Sequence, residues 1–216
     1  MNIILFGPPG AGKGTQSDNL AKTLNLFKIS TGDLLRDETK KKSSLGIKIE
    51  SLLKEGKLVS DDIINDLIEN IISNKKYFNR LIFDGYPRNL NQARYLELLI
   101  KKYRQKISCV LSLNVSKDII IKRISGRQIC SNCGLTFNIF FNKSTEKNHK
   151  CDVKFLEKRH DDSENTAENR FKTYTEETLP VLDYYKNQNL LYDIDGTGDI
   201  SSIYKEIRGI IHSLET

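Results

Sequence analysis

The stretch Gly7-Pro-Pro-Gly10-Ala-Gly12-Lys13-Gly14-Thr15 directly follows the apolar run Ile3-Ile4-Leu5-Phe6. It fits the pattern G-x-x-x-x-G-K-[ST], in which a strand leads through a glycine-rich turn into a helix. Backbone amides of the turn and of the helix start would surround anionic oxygens, and the helix dipole favours negative charge there. The stretch therefore predicts a phosphate-binding loop, with Lys13 on the phosphates and the Thr15 hydroxyl on Mg²⁺.

Size and composition indicate a globular protein of one domain with insertions. The chain has 216 residues, 38% of them apolar, and a net charge of +6. No apolar run approaches the roughly 20 residues that span a bilayer, and no signal-sequence pattern precedes the first strand. We therefore expect a cytoplasmic protein without a membrane partner. The arginines of the motifs are scattered along the chain and match no nucleic-acid-binding motif, so we expect no nucleic-acid partner either.

Five short apolar runs have the character of buried parallel strands. They cover residues 2–6, 27–30, 80–84, 109–115 and 190–195. Helical patterns lie between them, and strands that alternate with helices are typical of an α/β fold. We predict a doubly wound, five-stranded parallel sheet with its ligands at the carboxyl ends of the strands.

Three longer segments complete the predicted organisation. A helix is expected over 165–185, with a local bend at Pro180. Residues 31–59 have helical character without a strand, which indicates a helical insertion. Residues 126–162 carry few helical signals but three cysteines and several aromatic residues, and we interpret them as a small separate unit.

Six further motifs follow the phosphate-binding loop in order along the chain. They are Ile29-Ser-Thr-Gly-Asp-Leu-Leu-Arg36, Gly56-Lys-Leu-Val59, Phe83-Asp-Gly-Tyr-Pro-Arg88, Arg123-Ile-Ser-Gly-Arg127, Arg159-His-Asp-Asp162 and Asp195-Gly-Thr197. With these motifs the chain resembles, over essentially its whole length, the bacterial-type adenylate kinases, which are P-loop nucleoside monophosphate kinases with a long lid. The resemblance implies reversible Mg²⁺-dependent phosphoryl transfer from ATP to AMP, giving two ADP.

The resemblance also implies a division of the chain into three parts. A P-loop kinase core would comprise 1–29, 60–125 and 163–216, with an AMP-binding insertion at 30–59 and a lid at 126–162. No apolar interface stripe stands out in the sequence, so we expect a monomer.

The same resemblance assigns roles to single residues of the motifs. Five cations are implied in catalysis: Lys13, Arg88, Arg123, Arg159 and Arg170. The ATP site would be formed by Gly10, Ala11, Gly12, Lys13, Gly14, Thr15, Arg127, Thr136, Phe137 and Gly198. The AMP site would be formed by Thr31, Arg36, Lys57, Leu58, Val59, Gly85, Tyr86, Pro87, Arg88, Gln92, Arg159 and Arg170. Thr15 and Asp84 would hold Mg²⁺ through water.

The implied chemistry explains why these motifs are rich in arginine. The attacking group is an oxygen of the AMP phosphate, which is already an anion, so catalysis consists of positioning and charge neutralisation. Arginine suits this task because its planar fork binds two oxygens and stays charged. By resemblance, Arg36 and Arg88 would grip the AMP phosphate. Arg123 would contact the transferring phosphate, and Arg127 would lie against the ATP adenine.

The cysteines of the expected lid have a spacing that is typical of metal sites. Cys130-Ser-Asn-Cys133-Gly134 has the form of a zinc knuckle, and Cys151 offers a third thiolate. Zinc-bearing relatives have a second ligand pair here, but Lys154 stands where its last member is expected. The fourth ligand of a structural Zn²⁺ would be Asp152 or His149. The alternative is a metal-free lid with three free thiols in a reducing compartment.

Two other functions compete with this interpretation. The first is a kinase for UMP, CMP or GMP, which would keep the phosphate-binding loop and change the base pocket. The second is a nucleotide-gated zinc module that binds nucleic acid and has no kinase activity.

Overall fold

The computed structural model describes residues 1–41, 43–159 and 161–215. In chain order its strands are β1 (Asn2–Phe6), β2 (Phe27–Ser30), β3 (Leu81–Asp84), β4 (Cys109–Asn114), β5 (Arg127–Cys130), β6 (Thr136–Asn138), β7 (Leu156–Glu157) and β8 (Leu191–Asp195). The α-helices are α1 (Lys13–Leu24), α2 (Thr31–Lys40), α3 (Ser44–Glu55), α4 (Asp61–Ile72), α5 (Leu90–Lys102), α6 (Lys117–Ser125), α7 (Glu164–Thr173), α8 (Pro180–Lys186) and α9 (Ile200–Ser213). None of the described helices is both long enough and apolar enough to cross a membrane.

The central sheet has five parallel strands in the order β2-β3-β1-β4-β8. The predicted α/β class and the five-stranded parallel sheet are confirmed, and the predicted strands agree with the observed ones to within one residue at each end. The apolar runs could be located because strands buried on both faces consist almost entirely of apolar residues.

Helices cover both faces of this sheet. Side chains alternate along β1, so that Ile4 enters one apolar core with α4, α5 and α8, while Ile3 and Leu5 enter the other with α1, α6 and α9. Helices on both faces of a parallel sheet are what define a doubly wound fold.

The register of the sheet brings three loops together at one edge. Leu5 of β1 lies beside Asp84 of β3, and Ser30 of β2 lies on the other side of the same aspartate. The carboxyl ends of β1, β2 and β3 therefore meet, and the phosphate-binding loop follows the first of them. Functional side chains from distant parts of the sequence converge here because parallel strands end at the same edge.

Two insertions stand beside this edge. The first consists of α2 and α3, each with a serine N-cap that accepts a backbone hydrogen bond. The second, within 126–162, contains a three-stranded antiparallel sheet in the order β6-β5-β7. Whether these segments move as an AMP-binding unit and a lid stays a prediction.

The long helix predicted over 165–185 occurs in two parts. Helix α7 passes into a π-helical turn at Tyr174–Thr178, and α8 begins at Pro180. Proline cannot donate the hydrogen bond that a continuous α-helix needs, which accounts for the irregular turn before it.

Candidate active site

The phosphate-binding loop wraps around the side chain of its own lysine. Gly10 and Gly12 adopt φ values of 82° and 102°, which residues with a Cβ rarely adopt. The Lys13 ammonium donates to the carbonyls of Gly7 and Pro8 at 2.6 and 2.9 Å. Helix α1 starts at Lys13 without a side-chain cap, so its first amides are free to bind an anion.

An open cleft of about 1450 Å³ extends from this loop across the sheet edge to the two insertions. Every residue predicted for the ATP site lines it: Gly10, Ala11, Gly12, Lys13, Gly14, Thr15, Arg127, Thr136, Phe137 and Gly198. From the predicted AMP site it is lined by Arg36, Lys57, Leu58, Gly85, Pro87, Arg88, Arg159 and Arg170. A cleft of this size exceeds a typical site for one small ligand.

A smaller apolar recess adjoins the cleft and takes in more of the predicted AMP site. Thr31, Val59 and Gln92 line it together with Leu35 and Ile64. The recess lies between the helical insertion and the sheet edge, and its volume of about 10 Å³ leaves room for one water molecule.

The segment after β3 is held by a closed set of hydrogen bonds. Gln92 accepts from the Arg88 amide at 2.8 Å and donates to Asp61 at 2.7 Å. The Thr31 hydroxyl and Arg88 Nε both donate to the Gly85 carbonyl at 2.7 Å. The structure thus fixes the orientation of the Gln92 amide through Asp61, an acid to which the motifs assigned no role.

Tyr86 does not line the cleft. Its side chain is 1% exposed and packs in the core, and its hydroxyl donates to Asn65 at 2.8 Å. Its predicted place in the AMP site stays a prediction, and only the backbone of Tyr86 could serve it in this arrangement. Its motif neighbours Gly85 and Arg88 do face the cleft.

Five arginines form a cluster above the phosphate-binding loop, which we call the arginine cluster: Arg36, Arg88, Arg127, Arg159 and Arg170. Burial and mutual repulsion lower the pKa of Arg170 to about 9 and that of Arg159 to about 10. The Nε atom of Arg159 is buried and has no hydrogen-bond partner among the described residues. Such a concentration of unneutralised positive charge indicates an anion site.

Two buried aspartates hold the arginine cluster together. Arg127 Nε donates to Asp162 at 2.7 Å, and Arg170 pairs with Asp161 and lies 3.9 Å from Asp162. Arg36 is 4.0 Å from Asp161. The sequence analysis assigned no role to either acid, although both end the motif that begins with Arg159. Two consecutive acids at the end of an arginine motif were the available signal.

Arg127 lies in the arginine cluster and Arg123 lies outside it, although the resemblance implied the phosphate contact for Arg123. The roles of the two residues stay predictions. Arg127 is close enough to Lys13 and Arg170 to lower the pKa of both side chains. Arg123 instead donates to the Ala11 carbonyl at 3.2 Å and lies 5.5 Å from the centre of the Phe141 ring. The two residues are four apart, but α6 ends between them and β5 begins, so helical spacing does not relate their directions.

Phe141 is a cleft residue that the sequence analysis missed. Its ring is exposed and lines the cleft beside Arg123, with which it forms a cation–π contact. Phe137, by contrast, packs against His149 with 4.7 Å between ring centres, so its side chain belongs to the interior of the small sheet.

The predicted magnesium ligands, Thr15 and Asp84, lie where the phosphate-binding loop meets the carboxyl end of β3. Asp84 ends β3, and a Cβ built on Gly14 would lie 3.7 Å from its Oδ2 atom. The Ser17 hydroxyl donates to the same oxygen at 3.3 Å. A carboxylate beside the threonine of the loop supplies the hard oxygen ligands that Mg²⁺ prefers, directly or through water.

The three cysteines of the small sheet meet with one histidine. Ligand atoms of Cys130, Cys133, Cys151 and His149 all lie within 4.8 Å of one another, and none of the cysteines is in a disulfide. Although burial opposes it, hydrogen bonds from the amides of Cys133 and Asn132 lower the pKa of the Cys130 thiol to about 6. His149 Nε2 is buried and has no partner among the described residues.

This donor set fits a structural Zn²⁺. Three thiolates and one imidazole are a tetrahedral zinc set, and the unpartnered His149 nitrogen is the atom that zinc would bind. Asp152 is not part of the cluster, because its carboxylate caps the short 3₁₀ helix Val153–Phe155 and accepts from the Lys154 amide at 2.9 Å. Of the two candidates for the fourth ligand, the structure therefore favours His149.

Comparisons with known proteins agree with the geometry of the site. A family profile described as adenylate kinase matches residues 5–190. The adenylate kinase of Pelagibacter ubique is 49% identical over 98% of the chain and 99% of the relative. That of Thermosipho melanesiensis is 42% identical over 98% of the chain and 99% of the relative. The chain belongs to the adenylate kinase family.

As an adenylate kinase, the protein transfers a phosphoryl group reversibly from ATP to AMP with Mg²⁺, giving two ADP. Membership of this family removes the two competing functions, a kinase for another nucleoside monophosphate and a zinc module without kinase activity. Residues 191–215 lie beyond the profile match but include β8 and α9 of the core.

We expect this adenylate kinase to bind one Zn²⁺ per chain through His149 and the three cysteines. Loss of one ligand leaves an incomplete tetrahedral set, so His149→Ala should weaken zinc binding by more than about 100-fold and lower the melting temperature. Asp152→Asn is the matched control and should keep the metal. Elemental analysis and thermal unfolding measure both effects. Equal loss of zinc in the two variants would show that Asp152 is a ligand.

We also expect ATP binding to take up protons at alkaline pH. Burial, together with Arg88, Arg127 and Arg170, lowers the pKa of Lys13 to about 8 against the opposing effect of Asp84. Bound phosphates raise this pKa again, so Lys13 gains a proton on binding near about pH 8.5 but is already charged near about pH 6.5. Calorimetry in buffers of different ionisation enthalpy measures the uptake.

Lys13→Arg is the control for this proton uptake. Arginine binds its proton more tightly than lysine in the same place, so the variant should take up fewer protons than the wild type near about pH 8.5. Uptake by Arg170, whose pKa is about 9, is common to both proteins. If both proteins took up the same number, the titrating group would be another residue.

Proposed function

We propose that ATP and AMP bind tail to tail across this cleft, with the arginine cluster between them. The observation that carries the proposal is the surplus of charge at one point. Six cations, Lys13 and the five members of the arginine cluster, face only four acids among the described residues. Asp161 and Asp162 pair with Arg170 and Arg127, Asp33 pairs with Arg36, and Asp84 acts on Lys13 and Arg88. Phosphate groups of two nucleotides would neutralise the remainder.

The ATP half is supported by the phosphate-binding loop and the small sheet. Amides at the start of α1 and the Lys13 ammonium would hold the β- and γ-phosphates, and Thr15 and Asp84 would bind Mg²⁺ through water. The adenine would lie between Arg123 and Phe141. We therefore exchange the roles that the motifs implied for Arg123 and Arg127.

The AMP half is supported by the recess beneath the helical insertion. Thr31, Leu58 and Val59 line this recess, and Gln92 faces it with an amide fixed by Asp61. A fixed amide can pair with the edge of adenine, since it offers one donor and one acceptor side. Arg36 and Arg88 enter the cleft next to the recess, where the phosphate of AMP would lie.

Transfer needs no general base in this arrangement. An anionic oxygen of AMP would attack the γ-phosphorus in line while the ADP oxygen leaves, and Lys13, Arg127, Arg159 and Arg170 would neutralise the charge on the transferring group. Asp161 and Asp162 would hold the arginine forks in place before the substrates arrive. Pre-set donors cost little reorganisation during the reaction.

Closure of the insertions would protect the phosphoryl group from water. The helical insertion supplies Arg36, and the end of the lid supplies Arg159, so both segments carry cations that substrate phosphates attract. A closed, dry cleft prevents transfer of the phosphoryl group to water. Zinc would stiffen the lid and take no part in the transfer.

We further propose a cytoplasmic monomer that uses neither nucleic acid nor a membrane as a partner. Free cysteines are typical of a reducing compartment, and a thiolate-rich zinc site needs one. The cations of the motifs point into the nucleotide cleft, which accounts for them without a nucleic-acid surface.

A coupled assay of ADP formation tests the proposal directly. With ATP, Mg²⁺ and each of AMP, UMP, CMP and GMP, we expect rapid turnover with AMP alone. Calorimetry should show two nucleotide sites per chain. Binding of a single nucleotide at saturation would contradict the tail-to-tail arrangement.

The exchanged roles of the two arginines are tested by separate substitutions. Arg127→Met removes a charge next to the transferring phosphate and should lower kcat by about 100- to 1,000-fold. Arg123→Met removes a stacking surface for the base and should raise KM for ATP by roughly tenfold with a smaller effect on kcat. Steady-state kinetics with varied ATP separate these outcomes. The reverse pattern would restore the roles implied by the motifs.

A further inference from the structure

Lys28 is a cation of the cleft to which the reaction, as described above, assigns no role. It lies on β2, and its ammonium is 2.8 Å from Asp18 and 3.9 Å from Oδ2 of Asp84. The Lys28 and Asp84 side chains are 18% and 12% exposed, whereas that of Asp18 is 57% exposed. Lys28 thus stands between a solvent-facing acid and the acid proposed to bind Mg²⁺.

The oxygen that faces Lys28 is the one that points toward the phosphate-binding loop. Asp84 Oδ2 also accepts from the Ser17 hydroxyl and lies next to Gly14 at the start of α1. Lys28 acts on a third acid as well. Although burial opposes it, Arg36 and, more weakly, Ser30 and Lys28 lower the pKa of Asp33. Lys28 therefore belongs to the acidic side of the cleft.

We propose that Lys28 is the internal counter-ion of Asp84 and sets the affinity of the enzyme–ATP complex for its divalent cation. This inference rests on the proposed role of Asp84 at the Mg²⁺ site. A positive charge 3.9 Å from Asp84 Oδ2 repels a divalent ion that binds the same carboxylate through water. Asp18 offers the ammonium a second partner, which lets Lys28 withdraw when the metal arrives.

A purely structural role for Lys28 leads to a different expectation. If its pair with Asp18 served only to join β2 to α1, substitution would change stability but leave the metal affinity of the folded complex unchanged. An exposed ion pair contributes little to stability in most proteins. Metal affinity is therefore the quantity that separates the two roles.

The test uses Mn²⁺ as a paramagnetic probe of the divalent site in the full-length enzyme saturated with ATP. Free Mn²⁺ is measured by electron paramagnetic resonance during the titration. Lys28→Gln removes the repulsion and should tighten Mn²⁺ binding about three- to tenfold. Asp18→Asn removes the second partner, holds Lys28 on Asp84 and should weaken binding roughly two- to fivefold.

Two controls accompany these variants. Lys28→Arg keeps the charge and should bind Mn²⁺ like the wild type. Lys22→Gln removes a lysine from the exposed last turn of α1. It should leave the affinity for Mn²⁺ unchanged, because solvent and salt screen the charge of an exposed lysine.

The outcomes distinguish this inference from the function on which it rests. Asp84→Asn should weaken Mn²⁺ binding if Asp84 has its proposed role. If Asp84→Asn bound Mn²⁺ more weakly but Lys28→Gln bound it with unchanged or lower affinity, the role of Lys28 alone would be overturned. Unchanged binding in Asp84→Asn would overturn the role of Asp84 and the inference with it.

Discussion

The organisation of this adenylate kinase depends on the repulsion among cations that are buried at one edge of the sheet. Burial already disfavours the charged forms of Lys13, Arg159 and Arg170, and their proximity adds to that cost. Asp161 and Asp162 offset part of it through close ion pairs. The rest is left for the substrates, so the cleft is arranged to bind polyphosphate rather than to maximise its own stability.

The parallel sheet makes this concentration of charge possible. Helices and strands form hydrogen bonds among their own backbone groups. The loops that follow neighbouring parallel strands therefore lie together at one edge of the sheet and remain available for ligands. Asp84 therefore stands beside the loop after β1, although more than sixty residues separate them in the chain. The arginines come from the helical insertion, from the segment after β3, from both ends of the segment 126–162 and from α7. No short stretch of sequence therefore contains the site.

Much of the site could be predicted because its residues belong to local patterns. The phosphate-binding loop was recognisable because it requires glycine at defined backbone angles. The strands were recognisable because buried strands appear in the sequence as short apolar runs. Asp161 and Asp162 were overlooked because their role lies in pairing with Arg127 and Arg170 across the fold. The burial of the Tyr86 side chain could not be predicted, because a motif does not tell which of its side chains turns into the core.

The α/β class, the order of the strands along the chain, the phosphate-binding loop and the family were all accessible from the sequence, since these depend on short-range periodicity and on motifs with fixed spacing. Two features emerged from the three-dimensional arrangement alone: Arg127 lies in the arginine cluster while Arg123 lies outside it, and His149 rather than Asp152 joins the three thiols. Both decisions concern the direction of a side chain after a turn. Direction there is set by packing against distant residues, which spacing along the chain does not encode.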